Sequence, residues 1–92
     1  MKGSRVKYKN EKMFGGIFRS MFISKISDER KLNQPYDKAS IAHQEKLIRH
    51  HKRIKPPVVE KLKNGTYRIV DGSHRLQALR NLRVRKVKVE VT

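Results

Sequence analysis

The residues best suited to chemistry in this 92-residue chain stand in one run, Asp71-Gly72-Ser73-His74-Arg75. An apolar stretch, Ile69-Val70, leads into the run, and Leu76, Ala78 and Leu79 follow it as a short helix would. The first backbone N–H groups of a helix lack intrahelical partners and sit at the positive end of its dipole. A strand–glycine–helix junction is therefore a ready cradle for an anion, above all a phosphate. The Ser73 hydroxyl, His74 and the Arg75 guanidinium add donors, the last able to bind in bidentate fashion. In this reading Gly72 takes a positive φ that a β-branched residue would resist. The Ser73 and His74 N–H groups face the anion, and Arg75 is an exposed charge that contributes little to folding. Asp71 and His74, three residues apart, could form an acid/base pair, or Asp71 could hold Mg²⁺ beside a bound phosphate. The plainer reading makes Asp71 or Ser73 a helix cap and Arg75 a surface charge. The run alone leaves both open.

Other candidates carry less. His43, His50 and His51 fall on one predicted helix without a His-x-x-x-His pair, so they read as solvated residues and no metal site is expected. Eight acidic residues are few for the carboxylate cluster of a two-metal nuclease. The absence of cysteine excludes disulfides, thiolate zinc sites, iron–sulfur clusters and a cysteine nucleophile. Tyr8 or Tyr36 could stack on a base in a single-strand groove, but nothing in the sequence compels it.

Charge is the strongest compositional signal. Lysine and arginine number 24 against 8 acidic residues, a formal net charge of +16. The excess is spread along the chain, with 11 basic against 5 acidic residues in 1–46 and 13 against 3 in 47–92. A compact domain with such self-repulsion is suited to a polyanion, and nucleic acid is the leading partner class, DNA or RNA. Arg49, Lys52, Arg53, Arg83, Arg85, Lys86 and Lys88 are the expected contacts; the alternative is a solvated face. With no apolar run long enough to span a bilayer and no export signal, a cytoplasmic protein away from membranes is expected.

The elements that must position these residues follow from patterning. Residues 1–12 read as a mobile arm or an edge strand. Met13, Phe14, Ile17, Phe18, Met21 and Phe22 recur in pairs every four residues, a helical spacing that Gly15 and Gly16 weaken; an alternating strand through Phe14, Phe18 and Phe22 is the other option. This stripe is either core or the contact face of a homodimer. Residues 28–37 form a loop, and residues 38–53 a helix capped by Asp37 or Ser40, with Ile41, Ala42, Leu47 and Ile48 inward. After Pro56-Pro57 come a strand at 58–62, a hairpin turn at Asn64-Gly65, a returning strand at 66–70, a helix at 73–82 and a last strand at 84–91. In that last strand Val87, Val89 and Val91 should face inward, and Lys86, Lys88 and Glu90 outward. The sum is a small single α/β (α+β) domain.

The block Ile54-Lys55-Pro56-Pro57-Val58-Val59, the hairpin, Tyr67 to Leu79 around Gly72-Ser73-His74-Arg75, and the valine-rich last strand together resemble the ParB-like domain of the ParB/sulfiredoxin superfamily. The likeness covers residues 38–92 and reaches back to about residue 23. It implies a mixed sheet with a phosphate-binding strand–Gly–helix turn, an arm over residues 1–22 and a domain over 23–92. Chromosome-partitioning members carry Gly-Glu-Arg-Arg at this turn and grip the triphosphate of CTP. Sulfiredoxins carry Gly-Cys-His-Arg and use the cysteine to repair an oxidised peroxiredoxin. Other relatives with Gly-x-His-Arg turns include a nucleotide-dependent kinase of free serine and proteins described as nucleases. Here the basic pair is kept, so the resemblance implies a phosphate or nucleotide site at Gly72, Ser73, His74 and Arg75 with Lys55 nearby, and a nucleoside triphosphate with Mg²⁺ as its ligand. Ser73 in place of cysteine excludes sulfiredoxin chemistry. The acidic residue of the partitioning proteins is missing, and so, up to Thr92, is their helix-turn-helix. The expected function is largely non-sequence-specific nucleic-acid binding with a phosphate pocket. The alternative is a nucleotide-dependent phosphotransferase or nuclease acting through Asp71, His74 and Arg75.

Overall fold

The structure, a computed structural model, describes residues 6–92. Five strands form a mixed sheet in the order β2 (Ile17–Phe22), β7 (Lys86–Val91), β5 (Val58–Lys61), β6 (Tyr67–Asp71), β3 (Ile26–Ser27). The pairs β2–β7 and β5–β6 are antiparallel, whereas β5–β7 and β3–β6 are parallel. A separate parallel pair joins β1 (Lys7–Tyr8) to β4 (Arg53–Ile54). Two helices, α1 (Pro35–Arg49) and α2 (Ser73–Asn81), pack on each other, and Ile41, Ile48, Leu76 and Leu79 meet Val59, Val87 and Val89 in the core. No described helix is long and apolar enough to cross a membrane.

The α+β class, the β5–β6 hairpin and α2 follow the sequence reading closely. At the hairpin Gly65 has φ +85° and the Asn64 side chain accepts the Thr66 N–H at 3.1 Å, the local bonding that favours Asn-Gly in tight turns. The segment 13–22 goes the other way from its helical spacing. Gly15, at φ +69°, interrupts a helix, and Ile17–Phe22 pairs residue by residue with Val91–Lys86. The arm expected over residues 1–22 is thus, from residue 7, part of the domain itself; residues 1–5 lie outside the described residues. The alternation divides the apolar stripe. Met21 enters the core, Phe18 is half-buried under the Lys88 and Lys12 ammonium groups at 4.4 and 5.3 Å from its ring centre, and Met13, Phe14, Ile17 and Phe22 stay 47–55% exposed.

Glu90, expected to face solvent, is 1% exposed. Residues 13–16 fold over the end of β7, and the Glu90 carboxylate accepts the backbone N–H groups of Met13, Phe14 and Gly16 at 2.6, 2.8 and 2.9 Å. Burial by itself pushes this carboxyl up, but the three N–H donors, with Lys12 nearby, outweigh it and hold the group below the usual carboxylate range. Gly16 can approach this closely because it has no Cβ; one would collide with the Val91 carbonyl oxygen.

Helix α1 starts three residues earlier than expected. Pro35 occupies the first helical position, where its missing N–H is no loss, and Gln34 is the N-cap in a reciprocal capping box with Asp37. Ser40 is therefore inside the helix, and Ala42 is exposed rather than inward. The helix stops at Arg49 because His51 turns left-handed, at φ +57°.

Candidate phosphate-binding site

Strand β6 delivers Asp71 to the sheet end, and α2 begins two residues later. Between them Gly72 has φ +99°, the positive value expected of it. Space demands glycine as well, since a Cβ there would lie 2.8 Å from the Arg75 guanidinium and 3.1 Å from the Pro57 Cα. No side chain caps α2. Asp71 instead accepts from Arg75 Nη2 at 3.3 Å, and the buried Ser73 hydroxyl oxygen accepts from Arg30 Nη1 at 3.4 Å. The capping alternative is thus not realised, and the first N–H groups of α2 are left without a side-chain partner.

His74 is drawn away from Asp71. Its Nε2 lies 2.8 Å from Oδ1 of Asp37, which is 2% exposed and also accepts the Gln34 N–H through Oδ2 at 3.1 Å. The hydrogen bond from His74 holds the Asp37 carboxyl below the usual range; burial opposes it, and the Gln34 N–H and the nearby Arg30 charge add to it. The hydrogen-bond partner of His74 is therefore Asp37 of α1, not Asp71. Arg75 is not the exposed arginine the sequence suggested: its side chain is 16% exposed, and Nε is buried with no partner.

A cavity of about 520 Å³ opens over this turn. Asp71 to Arg75 line one side, Ala39, Ser40, His43 and Gln44 of α1 the other, and Arg30 the rim. One carboxylate thus faces two guanidinium groups and two imidazoles. Gln44 Oε1 and Arg75 Nε, on two of the lining residues, are buried without a hydrogen-bond partner. Sequence reading missed Arg30, Ser40 and Gln44 and set His43 aside as a solvated residue. The signal for the helical three was present: Ser40, His43 and Gln44 follow Asp37 at three- and four-residue steps, a polar stripe on one face. Lys55, grouped with the site by resemblance, is not among the lining residues.

The expected nucleic-acid contacts lie elsewhere. The two helices run parallel, joined by Asp37–His74 at their first turns and by Asn81 Nδ2 donating to Glu45 Oε2 at 2.7 Å near their last. The cavity is lined by the first turn of α2 and by Ala39, Ser40, His43 and Gln44 of α1; Arg49 is the last residue of α1, and Lys52, Arg53, Arg83 and Arg85 lie beyond the helix ends. These five and Lys86 are exposed, and Lys88 is half-buried against Phe18. Among the described residues no group of three or more His, Asp or Glu side chains gathers as a metal site would require.

Comparison with known proteins bears on this geometry. No curated protein matches the chain. Among solved structures, sulfiredoxin from Arabidopsis thaliana superimposes with a TM-score of 0.69 at 20% identity over 83% of this chain and 84% of that one. The C-terminally truncated chromosome-partitioning protein ParB from Caulobacter crescentus, complexed with CTP-γ-S, gives 0.63 at 22% identity over 84% of this chain and 44% of its own. A free serine kinase variant in complex with AMP gives 0.68 at 22% identity over 95% of this chain and 33% of its own. The chain thus spans less than half of the ParB protein and a third of the kinase, and at these identities the likeness is one of fold. The ParB N-terminal domain matches in sequence over residues 7–92, nearly the whole length, and the chain therefore belongs to the ParB N-terminal domain family.

Proposed function

We propose that this domain binds the phosphates of a nucleotide in the cavity between Gly72–Arg75 and α1. The observation that carries this reading is the start of α2, left without a side-chain cap at Gly72 and opening on a cavity that Arg30 and Arg75 also line. Unpartnered N–H groups at the positive end of a helix, with guanidinium groups beside them, suit an anion. The anion sits against the Ser73 and His74 N–H groups with Arg75 and Arg30 as its counter-charges. Two proteins of similar fold, the partitioning protein and the serine kinase, are described in complex with nucleotides, which supports the reading. Calorimetric titration of the full chain with ATP, CTP and AMP, with and without Mg²⁺, tests it. Saturable binding that Arg75→Ala weakens supports the cradle; no binding of any of the three sinks it. Release of inorganic phosphate in the Mg²⁺ arm, the terminal phosphoryl group passing to water, would move the domain to the enzyme reading, with His74, held by Asp37, beside the reacting group.

The second reading is nucleic-acid binding without strong sequence preference, favoured by the exposed cations at the end of the domain away from the cavity. Six phosphate contacts would give log K a slope of about −5 against log salt. A flat dependence, or no binding at low salt, would remove it.

A further inference from the structure

Both helices end in the same way, and both ends place a long polar side chain where glycine is the rule. In α1, the His51 N–H donates to the Ile48 carbonyl at 3.1 Å and the Lys52 N–H to Leu47 at 2.9 Å; in α2, Arg83 donates to Arg80 at 2.9 Å and Val84 to Leu79 at 3.0 Å. This is the same two-bond C-terminal closure twice, and it needs a left-handed residue at its centre. Glycine adopts that conformation without strain, yet the centres here are His51 at φ +57° and Arg83 at φ +61°, the two non-glycine residues with positive φ among those described. Both are exposed.

The charge around them has one sign. Residues 46–55 and 80–88 contain no Asp or Glu, while Arg49, Lys52, Arg53, Arg83, Arg85 and Lys86 are exposed. Glu45, the nearest acidic residue along α1, lies 4.0 Å from Arg49 and accepts from Asn81. Cations near a helix C-terminus complement the dipole, but a lysine or arginine inside the last turn does so in ordinary helical geometry. The dipole therefore does not explain a side chain kept at the left-handed position. Backbone strain retained at an exposed site points to use of the side chain.

We infer that the paired C-terminal ends of α1 and α2 grip the phosphate backbone of duplex DNA, and that His51 and Arg83 stay in the left-handed conformation because their side chains make contacts glycine could not. Duplex DNA presents a charge about every 1.7 Å of axis, a line that suits cations from two separate chain segments better than a single small anion would. The inference rests on the nucleic-acid reading above and deepens it by assigning the surface.

The test uses the strain itself. Fluorescence anisotropy with a short labelled duplex of mixed sequence, over a series of salt concentrations, is run on the full chain and on R83G, H51G, R83K and K38A. Arg83→Gly and His51→Gly should raise the melting temperature while weakening DNA binding several-fold, and Arg83→Gly should lower the salt slope by about 1. Arg83→Lys should hold the affinity near that of the parent. Lys38→Ala, at the opposite end of α1, should have little effect. A parent chain that binds no DNA overturns the nucleic-acid reading and this inference together. A parent that binds while both glycine variants bind equally well, or Lys38→Ala weakening as much as Arg83→Gly, overturns the inference alone.

Discussion

His74 Nε2 lies 2.8 Å from Asp37 Oδ1, a single hydrogen bond that joins the first turns of the two helices beside the cavity. Asp37 performs two tasks at once, completing the cap of α1 through Gln34 and fixing the His74 ring on α2. Asp37→Ala should lower the urea midpoint, because the Gln34 N–H and His74 each lose an acceptor. It should also weaken nucleotide binding through a misplaced His74. Glutamate at this position should not rescue the affinity, since the longer side chain cannot serve both partners from the same place. Chemical denaturation beside calorimetry on the same samples separates the two effects.

Stability should depend on pH in the acid direction. Asp37 and Glu90 both have carboxyls held below their usual values in the folded chain. A carboxylate depressed on folding contributes stability that is full above its unfolded value, about 4, and is lost as pH falls through the folded value. Urea stability should therefore change little through this effect between pH 7 and 5 and decline below about pH 4. Glu90→Gln should already be less stable at neutral pH and show a shallower acid decline. A parallel pH curve for the variant would show that Glu90 takes no part.

Glycine 72 is required twice over, by φ and by the space Arg75 occupies. Gly72→Ala should destabilise the fold by about 1–2 kcal/mol from the left-handed backbone alone. It should also lose nucleotide affinity, because the new methyl displaces the Arg75 guanidinium. Gly15→Ala is the control: it meets the same kind of backbone penalty at φ +69° in open space, so it should lose stability without touching the site.

Arg75→Ala should weaken phosphate binding by about 1.5–3 kcal/mol, the range for hydrogen bonds to a charged group. Because the side chain is mostly buried and paired with Asp71, some loss of folding stability should accompany it. Arg75→Lys keeps the charge but not the fork, and its affinity should fall between those of the parent and the alanine variant.

What the sequence by itself determined is local. The Asn64-Gly65 hairpin, the β6–Gly72–α2 junction and the leucine face of α2 are written in short-range chemistry, where a glycine or a three-residue spacing has one low-energy use. The basic character of the whole domain was legible for the same reason, since charge adds up without regard to fold. Tertiary structure decided whatever depended on a distant partner. Helical spacing at 13–22 yielded to pairing with β7, because six residues of sheet hydrogen bonding and the burial of Met21 outweigh an intrinsic pattern already weakened by two glycines. Glu90 was drawn inward by three N–H groups more than 70 residues away in sequence. His74 found Asp37 across 37 residues rather than Asp71 three residues before it, because parallel packing of the helices brings their first turns together. Arg30, Ser40, His43 and Gln44 join the site for that reason too: a cavity wall belongs to whichever element packs opposite, and spacing within one element cannot name its neighbour.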